Sequence, residues 1–223
     1  MKPSLAQRCV TEGLGTAFLL TAVVGSGIMA AKLSGGNGAL ALLCNTLPTG
    51  AILTVLILTL GPVSGAHFNP AVSVAFALRG DLDAIAAASY IGMQVVGGII
   101  GVLAAHLMFE LPVWQLSNTV RTGAGQWLAE AVATFGLLLT IFGCSARTPS
   151  AVPYAVGLYI TSAYWFTAST SFANPAVTIA RGLSDTFAGI APPDVLPFVA
   201  AQLIGMLVAV VFARWLWRGS MPL

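Results

Sequence analysis

The chain has 223 residues, 57% of them hydrophobic and 7% charged, with a formal net charge of +2. A soluble domain carries about 25% charged residues, so this composition argues against a soluble enzyme, and the small positive charge gives no basis for nucleic-acid binding. One helical crossing of a bilayer takes ~20 apolar residues. The length therefore suits six spans, with about 100 residues for connections and partial helices and no sizeable extramembrane domain.

Lys2 and Arg8 precede an apolar run from Cys9 to Ala31. That run is too long for a signal-peptide core and lacks a convincing cleavage site, so it predicts a first membrane helix. Further long segments are expected near 39–60, 84–108, 125–144, 152–168 and 195–217. Two shorter apolar pieces, near 69–78 and 175–183, each begin at an Asn-Pro pair. Asn at the cap and Pro at the first helical position start a helix. Neither piece is long enough to span, so both predict half-helices entered from a loop. With the N-terminus inside, Lys2, Arg8, Arg79, Arg147, Arg214 and Arg218 fall inside, and Lys32, Arg121 and Arg181 outside. This agrees with the positive-inside rule. Trp215 and Trp217 fit an interfacial anchor at the same end, and His106, near a helix end, is expected at an interface. Cys9, Cys44 and Cys144 form no CxxC pair and read as small hydrophobes in helices. No metal site or cofactor is implied.

The chain repeats itself. Glu12-Gly-Leu-Gly-Thr16 in the first segment is matched by Glu130-Ala-Val-Ala-Thr134 in the fourth. Gln94-Val-Val-Gly97 is matched by Gln202-Leu-Ile-Gly205, and Asn69-Pro70-Ala71-Val72-Ser73 by Asn174-Pro175-Ala176-Val177-Thr178. Each half, 1–110 and 120–223, holds three spans, so the second is expected upside down within a single channel domain of 1–223. Inverted repeats with interrupted segments in matching places point to a site at the membrane midplane. Broken backbone survives there only beside protein or a water-filled cavity. Two half-helix N-termini facing each other, each with about half a positive charge, repel cations and protons on a water wire. The amides of Asn69 and Asn174 would offer donors to a passing neutral solute.

Paired Asn-Pro-Ala motifs, Glu12 and Glu130 in equivalent helices, and the run Ser64-Gly-Ala-His67-Phe68-Asn69-Pro70-Ala71 resemble the aquaporin and aquaglyceroporin family over almost the whole chain. The resemblance implies an all-α membrane protein of six transmembrane helices and two half-helices, assembled as a homotetramer with one pore per subunit. It also implies a multi-pass protein of the inner membrane with cytoplasmic termini. Glu12 and Glu130 become struts that accept hydrogen bonds from the broken loops, and His67 orders the first loop or lines the inner pore.

The family's selectivity filter, carried over by position, falls on Thr49, Ser162, Ser171 and Val177, with Phe172 as the alternative to Ser171. Val177 stands where the family usually has Arg, and Thr49 where a bulky aromatic is common. Such a filter is expected to be wide, with one barrier to cations removed. Arg181 lies one turn after Val177 on the same face. Helical side chains lean toward the N-terminus, so Arg181 has two readings: a displaced filter cation, or an arginine snorkelling to the outer interface. The run Asn-Pro-Ala-Val-Thr-Ile-Ala-Arg resembles bacterial aquaglyceroporins associated with arsenic resistance. The expected function is passive passage of small neutral solutes, arsenous acid and polyol-like solutes such as glycerol. Two alternatives are a general water and glycerol channel, and a proton-coupled transporter in which Glu12 or Glu130 carries the proton. A membrane enzyme fits poorly, because two His and two symmetric Glu do not make a catalytic constellation.

Overall fold

A computed structural model describes residues 3–217. Lys2 and Arg218 of the inside charge set lie outside the described residues. The described chain is all-helical: α1 (Leu5–Leu33), α2 (Gly38–Ser64), α3 (Pro70–Arg79), α4 (Ala84–Met108), α5 (Ala124–Arg147), α6 (Val152–Phe166), α7 (Pro175–Arg181) and α8 (Pro192–Leu216). A 3₁₀ turn, Pro149–Ala151, leads into α6. Five helices (α1, α2, α4, α5 and α8) are long and apolar enough to cross a membrane. The expected span at 152–168 is shorter in the structure, 15 residues, because the chain leaves helical geometry at Thr167 to enter the second broken loop.

Local sequence sets the helix ends. Ser4 and Gln7 form a capping box on α1, and the Asn37 and Asp83 side chains accept from the backbone N–H groups of Leu40 and Ala86. Each satisfies donors that a helix start leaves free. Gly65, with φ of 92°, closes α2 in the left-handed region, which glycine adopts without a Cβ penalty.

In each half the first and last long helices pack closely, α1 on α4 and α5 on α8. Small residues permit it. A Cβ on Gly97 would press into the backbone of Gly13, one on Gly101 into Ala17, and one on Gly205 into Ala131. Where the hydrophobic effect cannot hold helices together, close backbone approach at small residues does so. The outer surface carries exposed apolar side chains, among them Val10, Leu14, Phe18, Leu207 and Val211.

Two further expectations are corrected here. His106 is fully buried. Its Nδ1 lies 2.9 Å from the Val113 carbonyl and its Nε2 2.9 Å from Ser184 Oγ, so it joins two connecting loops rather than resting at an interface. Arg181 is 2% exposed, which rules out the snorkelling reading.

Candidate functional site

The two broken loops meet at the centre. Asn69 caps α3 by accepting from the Ala71 N–H, and Asn174 caps α7 by accepting from those of Ala176 and Val177. Pro70 and Pro175 occupy the first helical positions. The asparagine amides then cross between the halves. Asn69 Nδ2 donates to the Ala173 carbonyl at 2.8 Å, and Asn174 Nδ2 donates to the Phe68 carbonyl at 2.8 Å. One N–H of each amide is spent on this joint, and the other has no hydrogen-bond partner among the described residues.

The loop backbone before each asparagine is strained in the same pattern. Ala66 and Phe68 have φ of 52° and 48°, and Ser171 and Ala173 have 51° and 48°. Left-handed geometry costs a residue with a Cβ roughly 1–2 kcal/mol. Two buried carboxylates hold it. Glu12 accepts from Ser64 Oγ (2.6 Å), the His67 and Phe68 N–H groups (3.0 and 2.6 Å) and Gln94 Nε2 (2.8 Å). Glu130 accepts from Ser169 Oγ (2.6 Å), the Phe172 and Ala173 N–H groups (2.9 and 2.8 Å) and Gln202 Nε2 (2.6 Å). Each oxygen already takes two donors, so both carboxylates are committed to the broken loops. This geometry opposes the transporter alternative. His67 Nδ1 lies 3.1 Å from Ser73 Oγ, and its ring lines the cavity.

A cavity of about 220 Å³ runs past both asparagines. Leu19, Val23, Leu53, Ile57, Val156 and Ile160 give it an apolar wall, and the loop residues Gly65, Ala66 and His67 contribute its polar side. Toward the mouth opposite the termini it is lined by Thr49, Tyr164, Ser171, Phe172, Val177 and Arg181. Thus Thr49, Ser171 and Val177 stand at the wall, and Phe172 and Arg181 stand there with them.

Ser162 does not. It is exposed on the outer face of α6, and its hydroxyl donates to the Tyr159 carbonyl at 2.8 Å. Tyr164 takes the wall position, its hydroxyl 3.4 Å from Thr49 Oγ1. Two residues are about 200° around a helix, so a register error of two moves the chosen side chain to the opposite face. Val156, Ile160 and Tyr164, four residues apart, form the inner face of α6, all three being buried. Arg121 was also missed as more than an outside charge: it bonds the Gly189 carbonyl through Nε at 2.8 Å and lies over the Phe172 ring.

The Major intrinsic protein family matches residues 1–151. Aquaglyceroporin AqpS of Rhizobium meliloti (strain 1021) is 56% identical over 219 residues, covering 98% of this chain and 94% of that protein. The chain belongs to the major intrinsic protein family. Probable aquaporin NIP4-2 of Arabidopsis thaliana is 35% identical over 162 residues, 70% of this chain and 56% of that protein. An X-ray structure of the aquaglyceroporin from Plasmodium falciparum superposes with a TM-score of 0.72 over 94% of this chain and 95% of that one, at 22% identity. That likeness concerns the fold. Members of this family are integral membrane channels and not enzymes, and this chain is a multi-pass membrane channel for small solutes.

Proposed function

We propose that this channel passes small neutral hydroxylated solutes, with arsenous acid and glycerol favoured, down their own gradients. The observation that carries the reading is the pair Thr49 and Val177 on the outer wall. Neither is bulky or charged, and both leave room where many family members are narrow. Arsenous acid is a neutral trihydroxide at neutral pH, and it presents oxygens as a polyol does. A largely apolar wall with a few convergent polar groups suits such molecules. The name of the 56% identical relative, an aquaglyceroporin, supports the polyol part of the assignment.

A general water and glycerol channel is the second reading. Phe172 and Arg181 favour it, because both narrow the same outer region. Stopped-flow permeability of proteoliposomes separates the two. Water, glycerol and arsenous acid are compared for the native channel and for Val177→Arg. The proposal expects native passage of the larger solutes and their restriction by Val177→Arg. Water-only flux, unchanged by the substitution, sinks it.

We also infer that the halves 1–110 and 120–223 act as inverted repeats of one channel domain. The matched struts and asparagines support this. The assembly is a homotetramer in the inner membrane, as the family resemblance implies, with the termini on the cytoplasmic side. Because Arg181 lines the cavity, it leaves the outer set, and among the described cations Arg8, Arg79, Arg147 and Arg214 stand against Lys32 and Arg121, four to two where it was four to three. This strengthens the inside bias.

A further inference from the structure

We propose that Arg181 is the charge-selecting and solute-orienting group of this channel, and that Arg121 is its positioning residue. The proposal deepens the neutral-solute reading and rests on it only for the class of solute. Val177 supplies no donor and no charge. One helical turn later, Arg181 returns to the same cavity wall. Its Nε donates to the Ala188 carbonyl. Its guanidinium lies over the Phe172 ring, with Cζ 3.4 Å from the ring centroid. A cation stacked on an aromatic face is held in place by the ring quadrupole.

The rest of that guanidinium is uncommitted. Among the described residues it forms no ion pair, and Nε is its only nitrogen hydrogen-bonded to protein. A buried cation without a carboxylate keeps its positive field in the cavity and repels other cations. Its terminal N–H groups remain as donors for an oxygen-bearing solute. A second group on the same wall also lacks a partner among the described residues: Ser171 Oγ is buried and forms no hydrogen bond with them, in a residue 2% exposed. Buried polar atoms are nearly always satisfied by protein or water. A charged donor and an unpartnered hydroxyl on one wall fit a neutral polyhydroxylated solute. Its lone pairs accept from Arg181, and one of its own hydroxyls donates to Ser171 Oγ.

Arg121 fixes the two contacts that aim Arg181. It comes from the loop between α4 and α5. Its Nε, and more weakly its terminal nitrogens, donate to the carbonyls of Gly189 (2.8 Å), Ser169 (3.3 Å) and Phe187 (3.5 Å). Ala188, which receives Arg181, lies between two of those residues. Ser169 belongs to the second broken loop, as does Phe172, whose ring lies 5.0 Å from Arg121 Cζ. The Arg121 N–H donates to Asp194 Oδ2 at 2.7 Å, which anchors the bridge to α8. Arg121 thus sets the spacing between the carbonyl and the ring that hold Arg181.

The test uses the full-length channel in proteoliposomes. Proton and sodium leak are recorded beside the glycerol-to-water permeability ratio. Native protein is compared with Arg181→Leu, Arg181→Lys, Arg121→Lys and the double variant Val177→Arg/Arg181→Leu. Arg181→Leu is expected to raise ion leak at least tenfold and to change the glycerol-to-water ratio. Arg181→Lys is expected to stay ion-tight, because it keeps the charge, but to lose part of the solute discrimination. Arg121→Lys is expected to give an intermediate leak, and the double variant to recover ion tightness with slower glycerol flux. Ion tightness and a solute ratio equal to native in folded Arg181→Leu overturn the proposal. Should that variant not fold, Arg181→Gln, which is neutral but retains an amide donor for Ala188, is judged by the same outcomes. Absence of arsenous acid or glycerol flux in the native channel refutes the solute assignment alone, because ion leak is read separately.

Discussion

Substituting Glu12 by Gln distinguishes a strut from a proton carrier. The carboxylate offers two acceptor oxygens to four donors. Gln keeps one oxygen and replaces the other with an NH2 group. With its oxygen toward Ser64 and His67, the new amide confronts the Phe68 N–H and Gln94 Nε2. Gln94 can adapt, because its Oε1 has no partner among the described residues. Turning that amide over lets Oε1 accept from the new side chain and from Ser73 Oγ, now 3.0 Å from Nε2. The Phe68 N–H cannot adapt. Orphaning a buried donor costs about 1–3 kcal/mol, and the remaining bonds lose their charge assistance, so the total is about 2–4 kcal/mol. Phe68 is itself in left-handed geometry, and its carbonyl receives Asn174, so the damage reaches the central joint. At ~2–4 °C per kcal/mol, the unfolding midpoint in detergent should fall by about 4–16 °C. Folded protein should still show passive solute flux that ignores an imposed pH gradient. Native-like stability with loss of a flux component driven by that gradient would falsify the strut assignment.

Other expectations follow from single contacts. Gly97→Ala presses a methyl into the Gly13 backbone and should destabilise by about 1–3 kcal/mol, the usual cost of overpacking. Gly92→Ala meets open space and should not destabilise; equal unfolding midpoints for the two variants would contradict the α1–α4 packing account. Tyr164→Ala should widen the outer wall and raise glycerol flux relative to water, while Ser162→Ala, on the outer face, should leave the ratio unchanged. A response at Ser162 alone would restore the position chosen from the sequence. Asp185 accepts from the Asn118 backbone N–H and side-chain amide, the backbone bond being the larger cause that holds its pKa below the ordinary value. Its contribution to the outer loop is therefore present above the ordinary carboxylate pKa and lost as pH falls through the depressed one. The hydrogen-exchange protection factor of the Asn118 amide, taken against its intrinsic rate at each pH, should fall in that acidic window, and Asp185→Asn should remove this pH dependence.

What was legible in the sequence was mostly what occurs twice. Glu12 and Glu130, Gln94 and Gln202, and Asn69 and Asn174 recur in register, and each pair makes matching bonds. Repetition revealed them because the same backbone problem, a broken loop at the midplane, is solved once in each half. Helix faces were harder to read. The exposed Leu158 and Trp165 of α6 are as apolar as its buried Val156 and Ile160, since lipid and core demand the same chemistry. No amphipathic stripe marks Tyr164 above Ser162, and a count borrowed from relatives slipped by two residues.

The outer filter obeys neither rule, and that is consistent with its task. A solute meets both half-helix starts, so those can be symmetric; it meets the outer mouth from one side only. The equivalent of Arg181 in the first half, seven residues after Asn69, is Phe76, which packs near His67 with ring centroids 4.6 Å apart. The equivalent of Phe172 is His67, two residues before its asparagine. The pair at one end is thus a cation over an aromatic ring, and at the other an imidazole packed against an aromatic ring at a tilt of 42°. The shared backbone brings the equivalent positions into contact at both ends, and the side chains decide that a fixed positive charge stands at only one. Replacing Phe76 with Arg should therefore add a second cation barrier at the mouth on the side of the termini. It should slow solute entry there more than it changes the glycerol-to-water ratio, which the Arg181 end sets. A large change in that ratio from Phe76→Arg would show that discrimination is shared between the two mouths.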